Sequence, residues 1–183
     1  MLIILDRDGV INQYDGHYIC SVAQWQPLPG SIEAIGRLCR AGHRIAVATN
    51  QSGIGRGLYD RDALGAMHER LNQLVGRAGG CIDHIAFCPH HPDDGCTCRK
   101  PLPGLLHEIR DALGLKNLSG SIMVGDSRKD LEAGLAAGCR PYLVRTGNGR
   151  DTEYHLQKRP LSQVNVFDDL QSLTDHLVMA DAS

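Results

Sequence analysis

Two aspartates separated by one residue end the first apolar segment of the chain. Residues 2–5 are aliphatic, and Asp6 and Asp8 follow directly, before a glycine. An apolar run bounded in this way is typical of a strand buried on both faces of a parallel sheet. Carboxylates this close repel each other, and a hard cation such as Mg²⁺ relieves the repulsion. The pair therefore predicts a magnesium site, with a turn or a helix cap as the ordinary alternative.

Other polar residues follow later apolar segments in the same way. Thr49 ends the second such segment, Asp126 ends a later one, and Lys100 leads into the helix before it. Each has an ordinary explanation when taken alone, as a cap, a strand-end hydroxyl or a surface charge. The carboxyl ends of parallel strands, however, meet at one edge of a sheet, where ligands bind. We therefore expect these side chains to converge on Asp6 and Asp8.

A set of this composition suits phosphoryl transfer. Asp6 would attack phosphorus and form an aspartyl phosphate. Asp8 would protonate the leaving oxygen and then deprotonate the attacking water. Thr49 and Lys100 would bind the equatorial phosphate oxygens, where charge develops in the transition state. Asp6, Asp8 and Asp126 are the predicted ligands of a single catalytic Mg²⁺.

A second cluster of metal-binding residues lies in a turn-rich loop with few apolar residues. Its candidate ligands are Cys88, His90, Cys96 and Cys98, with His91 as a competitor of His90. Three thiolates and one imidazole make a closed tetrahedral zinc site, which predicts a structural role. Incidental cysteines are the alternative. Because the loop runs directly into Arg99 and Lys100, bound zinc would order the backbone that carries them.

The remaining pattern alternates short apolar segments with amphipathic ones. It predicts an α/β fold, a doubly wound parallel sheet with helices on both faces and a single domain over residues 1–183. Residues 12–29 are expected to form a flap and residues 147–160 an irregular segment. Strands are predicted over residues 2–5, 44–49, 82–88, 121–125, 140–144 and 165–167, and helices over residues 31–40, 60–78, 104–113, 127–138 and 168–178.

The composition excludes several classes of function. The 183 residues carry a net charge of −2, which gives no basic surface for nucleic acid or an anionic membrane. No apolar run approaches the roughly 18 residues that span a bilayer, and residues 1–6 lack the charged start and long apolar centre that are typical of a signal peptide. Seven cysteines, an odd number, favour metal binding in a reducing compartment over disulfides. We expect a cytoplasmic monomer.

These residues resemble the motifs of the haloacid dehalogenase superfamily. The matching positions are Asp6 and Asp8, Thr49, Lys100, and Asp126 with Asp130. The resemblance implies a doubly wound, Rossmann-like fold with a flap after the first strand. It also implies phosphatase activity, because the second aspartate of the first motif marks the phosphatases of this superfamily.

The cysteine loop narrows the resemblance to one branch, which contains heptose bisphosphate phosphatases and histidinol-phosphate phosphatases. This likeness implies that His90 is the zinc ligand and that the substrate is heptose 1,7-bisphosphate, which loses its C7 phosphate. Histidinol phosphate is the alternative substrate, and a phospho-accepting receiver domain is the alternative of another class. The implied substrate-binding residues are Asp15, Tyr18, Asn50, Gln51 and Ser52, with Arg99 reading the phosphate that is retained.

Overall fold

The fold is built on one parallel sheet, and the computed structural model describes residues 1–181. The strands are β1 (Leu2–Leu5), β2 (Arg44–Asn50), β3 (His84–Cys88), β4 (Ile122–Gly125), β5 (Arg140–Val144) and β6 (Asn165–Phe167). The helices are α1 (Ser31–Arg40), α2 (Ser52–Gly55), α3 (Arg61–Arg77), α4 (Gly104–Ala112), α5 (Arg128–Ala136), α6 (Gly149–Lys158) and α7 (Leu170–Asp181). The strand order is β3-β2-β1-β4-β5-β6, and every neighbouring pair is parallel. The predicted doubly wound α/β fold is confirmed.

Strand β1 lies at the centre of this sheet, between β2 and β4. Ile3 and Leu5 contribute to a core with α1, α3 and α7, whereas Leu2 and Ile4 contribute to a second core with α4 and α5. Successive side chains of a strand point to opposite faces, so an unbroken aliphatic run fits a strand covered on both sides. The chain order changes direction at β1, and this switch point opens the cleft in which Asp6 and Asp8 lie.

Helix α1 shows how local sequence sets the outer layer. Ile32, Ile35 and Leu38 recur at helical spacing, and all three are buried. Gly30 caps the helix in the left-handed region with φ 76°, a conformation that glycine adopts without strain. The helix ends before the turn that leads into β2, as the sequence predicted.

The prediction for residues 147–160 is wrong. Residues 147–160 were expected to be irregular, but residues 149–158 form α6. Only Gly149 and Thr152 are buried in this helix, so it lacks the apolar stripe that marks an amphipathic helix. It is instead fixed by a polar contact, because the Thr152 hydroxyl donates to the carbonyl of Asp126 at 2.8 Å.

Among residues 1–181, no helix combines the length and the apolar composition that crossing a membrane requires.

Candidate active site

A cleft of about 340 Å³ opens at the carboxyl edge of the sheet. Its walls include the five residues to which the sequence assigned chemistry, namely Asp6, Asp8, Thr49, Lys100 and Asp126. They come from three strand ends and one loop, although Asp6 and Asp126 are far apart in the chain. The topology therefore brings together the side chains that were expected to converge.

Lys100 is the centre of the buried charge network. Its Nζ lies 2.9 Å from Oδ1 of Asp6 and 2.6 Å from Oδ1 of Asp130, and it donates to the Ala48 carbonyl at 2.6 Å. The side chain is only 2% exposed. Burial alone would lower the pKa of Lys100, but the carboxylates of Asp130 and Asp6 raise it above its usual value. The lysine is therefore charged and held beside Asp6.

Asp6, Asp126 and Asp130 form a compact carboxylate cluster, with one oxygen of each within 4.8 Å of the others. Burial raises the pKa of Asp6 well above its ordinary value, and the charge of Asp130 adds to this effect. Burial and Asp130 also raise the pKa of Asp126 to about 7. One lysine does not balance three crowded carboxylates, so the cluster favours a divalent cation.

The hydrogen bonds show which oxygens a cation could reach. Both oxygens of Asp130 have partners, because Oδ1 pairs with Lys100 and Oδ2 accepts from the backbone and hydroxyl of Ser127 at 3.0 and 2.6 Å. Oδ1 of Asp6 accepts from the backbone of Arg7 and from Lys100. No donor within residues 1–181 hydrogen-bonds to Oδ2 of Asp6 or Oδ1 of Asp126. These two oxygens are the ones available to a metal.

Two glycines allow Asp126 to sit deep in the cleft. A Cβ at Gly9 or at Gly147 would lie 2.2 Å from Oδ2 of Asp126, so no larger residue fits at either position. Both glycines have positive φ, 83° and 55° respectively. The same oxygen accepts from the backbone and the carboxamide of Asn148 at 2.8 and 3.1 Å. The loop before α6 thus orients Asp126.

The carboxylate of Asp8 lies outside this cluster and has donors of its own. Arg7, whose side chain is fully buried, donates through Nε at 2.9 Å and Nη2 at 3.2 Å. Asn12 and Gln51 donate to the same carboxylate at 2.9 and 3.0 Å. Asp8 still lines the cleft and its side chain is 20% exposed. It is therefore fixed in position yet accessible to a substrate.

The residues at the carboxyl end of β2 mostly position other groups. Nε2 of Gln51 donates to Oγ1 of Thr49 at 2.9 Å, so the Thr49 hydroxyl proton remains free for an acceptor in the cleft. The Asn50 carboxamide donates to the Lys100 carbonyl at 3.0 Å and accepts from the Lys100 backbone N–H at 3.1 Å. Gln51 also accepts a short hydrogen bond from the Tyr59 hydroxyl. Asn50 and Gln51 therefore line the cleft and also hold the Lys100 backbone and the side chains of Asp8 and Thr49 in position.

The other predicted substrate-binding residues lie in two different cavities. Tyr18, Ser52 and Arg99 line the cleft, and the Tyr18 hydroxyl lies 3.4 Å from Oγ of Ser52. Asp15 instead lines the neighbouring cavity, where its 81% exposed side chain accepts from the backbone of His17. The structure does not bring Asp15 into the cleft.

Several residues of the site were not predicted from the sequence. They are Arg7, Asn12, Tyr59, Ser127, Lys129 and Asn148. Arg7 lies between Asp6 and Asp8, and Asn12 follows them closely, so their position was a usable signal. Asn148 had none, because it lies in a segment expected to be irregular.

The cysteine loop gathers its four candidate ligands. The ligand atoms of Cys88, His90, Cys96 and Cys98 lie within 4.8 Å of one another. Cys88 Sγ is 3.5 Å from His90 Nδ1 and 3.6 Å from Cys96 Sγ, and His90 Nδ1 is 3.2 Å from Cys98 Sγ. A tetrahedron with Zn–S bonds of about 2.3 Å has edges of roughly 3.8 Å, so these atoms are spaced for one zinc ion.

The competing ligand His91 has another role in the loop. Its Nδ1 accepts from the backbone N–H of Asp93 at 3.2 Å. The Asp94 carboxylate in turn accepts from the backbone N–H of His91 at 2.9 Å. This reciprocal cap begins a single 3₁₀ turn over Pro92–Asp94. The geometry thus places His90, not His91, among the cysteines.

The fold and the site define a hydrolase of the haloacid dehalogenase type. The HAD-hydrolase-like family model matches residues 97–173. Two relatives, from Pseudomonas putida and Pseudomonas aeruginosa, are 50% and 52% identical over 177 and 178 residues, and each alignment covers at least 97% of both chains. The chain therefore belongs to the haloacid dehalogenase superfamily.

The names of these relatives specify an enzyme within the superfamily. Both are D-glycero-beta-D-manno-heptose-1,7-bisphosphate 7-phosphatases. Among solved structures, the D,D-heptose 1,7-bisphosphate phosphatase of Bordetella bronchiseptica, complexed with magnesium and phosphate, superimposes with a TM-score of 0.93. It is 45% identical, and the match covers 98% of each chain.

Proposed function

We propose that this protein is a Mg²⁺-dependent phosphatase that removes the C7 phosphate of D-glycero-beta-D-manno-heptose 1,7-bisphosphate. The likeness to the Pseudomonas phosphatases over nearly the whole chain supports this substrate. The observation that carries the chemistry is the pairing of Asp6 with a buried lysine beside two further carboxylates, in a cleft that Asp8 also lines.

Asp6 and Asp126 are the proposed side-chain ligands of Mg²⁺. Each presents one oxygen that accepts no hydrogen bond from residues 1–181, and both belong to the carboxylate cluster. Both oxygens of Asp8 already accept hydrogen bonds, from Arg7, Asn12 and Gln51, so the Asp8 carboxylate is not among the proposed Mg²⁺ ligands. When bound, Mg²⁺ would neutralise phosphate charge and let an anionic nucleophile approach.

Each side chain of the cleft has a separate role in the proposed reaction. Asp6 attacks the C7 phosphorus, the bond from phosphorus to the sugar oxygen breaks, and an aspartyl phosphate forms. Asp8 donates a proton to the departing oxygen and later takes one from the water that hydrolyses the intermediate. The positive charge of Lys100, held beside Asp6, and the hydroxyl proton of Thr49 stabilise the equatorial oxygens. Arg99, with Tyr18 and Ser52, is the proposed contact for the rest of the substrate.

Phosphate release from three compounds tests this proposal. We expect turnover of the β anomer of heptose 1,7-bisphosphate, much slower turnover of its α anomer, and little release from histidinol phosphate. An Asp6→Asn protein serves as the blank. Faster release from histidinol phosphate than from either heptose bisphosphate would reject the proposed substrate and support the alternative one.

We propose that Cys88, His90, Cys96 and Cys98 hold a structural Zn²⁺. Burial, together with the thiols of Cys88 and Cys96, raises the pKa of Cys98 to about 12, so crowding disfavours thiolates unless a cation is present. The loop continues into Arg99 and Lys100, whose positions the metal would fix. With no apolar core of its own, the loop would depend on zinc for order.

Replacing Cys96 with serine should therefore release zinc. We expect metal analysis of the purified protein to show loss of most of the zinc that the unmodified protein holds. The melting temperature should fall by several degrees or more, because the loop loses the metal that orders it and each 1 kcal/mol shifts the midpoint of a domain of this size by about 2 to 4 °C. A Cys81→Ser protein is the matched control, because Cys81 is exposed and outside the cluster. Unchanged zinc content in the Cys96 variant would contradict the ligand set.

We further propose that residues 1–183 act as a single-domain monomer in the cytoplasm. Reducing conditions there would keep the thiols of the metal loop available to zinc.

A further inference from the structure

The cleft contains positively charged side chains that form no ion pair with the catalytic carboxylates. Within residues 1–181, the lysine and arginine side chains that line it are Arg99, Lys100 and Lys129. Lys100 is committed to Asp6 and Asp130. Neither Arg99 nor Lys129 forms a side-chain hydrogen bond or an ion pair with any residue in that range, and Nη1 of Arg99 is buried without a partner. These two cations are available to a ligand.

Lys129 differs from its neighbour on the same helical turn. It lies in the first turn of α5, between Arg128 and Asp130. Arg128 is engaged away from the cleft, with Glu132 at 2.6 Å and the Arg159 carbonyl at 2.7 Å. The Lys129 side chain is exposed and lines the cleft. The start of a helix also favours an anion, because its backbone N–H groups carry partial positive charge.

A sugar bisphosphate brings more negative charge than the inner site can balance. Each phosphate monoester carries nearly two negative charges near neutral pH. The inner cluster already holds Asp6, Asp126 and Asp130 against Lys100. Even with Mg²⁺ bound, the inner groups suit one phosphate, the one that is transferred. The second phosphate needs cations that are free, which are Arg99 and Lys129.

We propose that Lys129 is a specificity residue that, with Arg99, binds the phosphate retained on the sugar. This inference rests on the proposed function and adds to it a residue that the family motifs do not include. Arg99 can bind the phosphate through two nitrogens, whereas Lys129 supplies a single point charge from α5. Lys129 would thereby favour bisphosphates over monophosphates without contacting the reacting phosphorus.

A Lys129→Gln variant tests this role with two substrates. The ratio of kcat/KM for heptose 1,7-bisphosphate to that for heptose 7-phosphate should fall about fivefold, which is the upper range for an exposed ion pair. The change should be in KM and should shrink at high salt, which screens exposed charges. The product, heptose 1-phosphate, keeps the retained phosphate, so its inhibition constant should rise by a similar factor.

Matched variants separate charge from structure. Lys129→Arg should retain most of the ratio, and Arg99→Gln should lower it further than Lys129→Gln does. Lys116→Gln, an exposed lysine on the connection that leads into the opposite end of β4, should leave the ratio unchanged. If the unmodified protein hydrolyses the bisphosphate but Lys129→Gln affects both substrates equally, or neither, the inference is wrong and the proposed function stands. Failure of the unmodified protein to hydrolyse the bisphosphate would instead reject the proposed function.

Discussion

An Asp6→Asn variant is expected to lose phosphatase activity by a factor of about 10⁴ or more, because asparagine has no anionic oxygen to attack phosphorus. The substitution keeps the volume of the side chain, so the cleft should keep its shape. Lys100 would retain its 2.6 Å contact with Asp130, and the buried cation would not be left unpaired. The loss should therefore appear in kcat rather than in the amount of folded protein.

The stability of this variant gives an independent check. The pKa of Asp6 is raised in the folded protein by burial and by the charge of Asp130, so ionisation of Asp6 opposes folding as the pH rises through the ordinary aspartate range. Asparagine does not ionise. Without Mg²⁺ at pH 7.5, the melting temperature of the variant should be no lower than that of the unmodified protein, and added Mg²⁺ should raise it less.

Steady-state phosphate release and thermal melting with and without Mg²⁺ measure both effects. Asp62→Asn, at an exposed position in the first turn of α3, is the matched control and should behave like the unmodified protein. Mass spectrometry should verify that the asparagine has not reverted to aspartate by deamidation. Activity within tenfold of the unmodified protein would remove Asp6 from the role of nucleophile.

The sheet could be predicted because its strands carry their own signals. β1 and all of β5 after Arg140 are short, buried and largely apolar runs, and a run covered on both faces needs no alternation. Helix α6 could not be predicted from apolar periodicity, because polar contacts dock it to the end of β4. This helix matters for the site, since the residue before it, Asn148, orients Asp126. The local sequence pattern thus predicts the strands, whereas the position of Asn148 depends on tertiary contacts.

For the carboxylates too, the sequence predicts the shared location but not the tertiary contacts. Topology predicts that Asp6, Asp8 and Asp126 share one edge of the sheet, and all three line the cleft there. The sequence could not show that Arg7 would donate to both oxygens of Asp8, or that Asp130 would pair with Lys100. Which oxygens face a cation depends on side-chain rotation, and spacing along the chain does not encode it.

Replacing Lys100 with methionine should have the second largest effect, on both turnover and stability. The substitution keeps much of the side-chain length but removes the charge that faces Asp6 and Asp130. We expect kcat to fall by about 10³, since a preorganised cation stabilises charge that develops in the transition state. Leaving buried carboxylates unpaired should also lower the free energy of unfolding by about 3 to 5 kcal/mol.

The pH dependence of this loss follows from the carboxylates left behind. Without Lys100, which lowers the pKa of Asp6, that pKa should rise further above its unfolded value. The destabilisation should accordingly grow as the pH rises from 5 to 8, because ionisation of Asp6 opposes folding more strongly once Lys100 is absent. Urea unfolding at these two pH values measures the difference.

A second substitution distinguishes the structural role of Lys100 from its catalytic role. In the Lys100→Met background, Asp130→Asn removes one of the unpaired carboxylates, so much of the stability at pH 8 should return. Turnover should not return, because no cation then faces the transferred phosphate from this side of the cleft. Recovery of activity together with stability would mean that Lys100 only balances Asp130. Lys116→Met, at an exposed position away from the cleft, controls for the loss of a lysine.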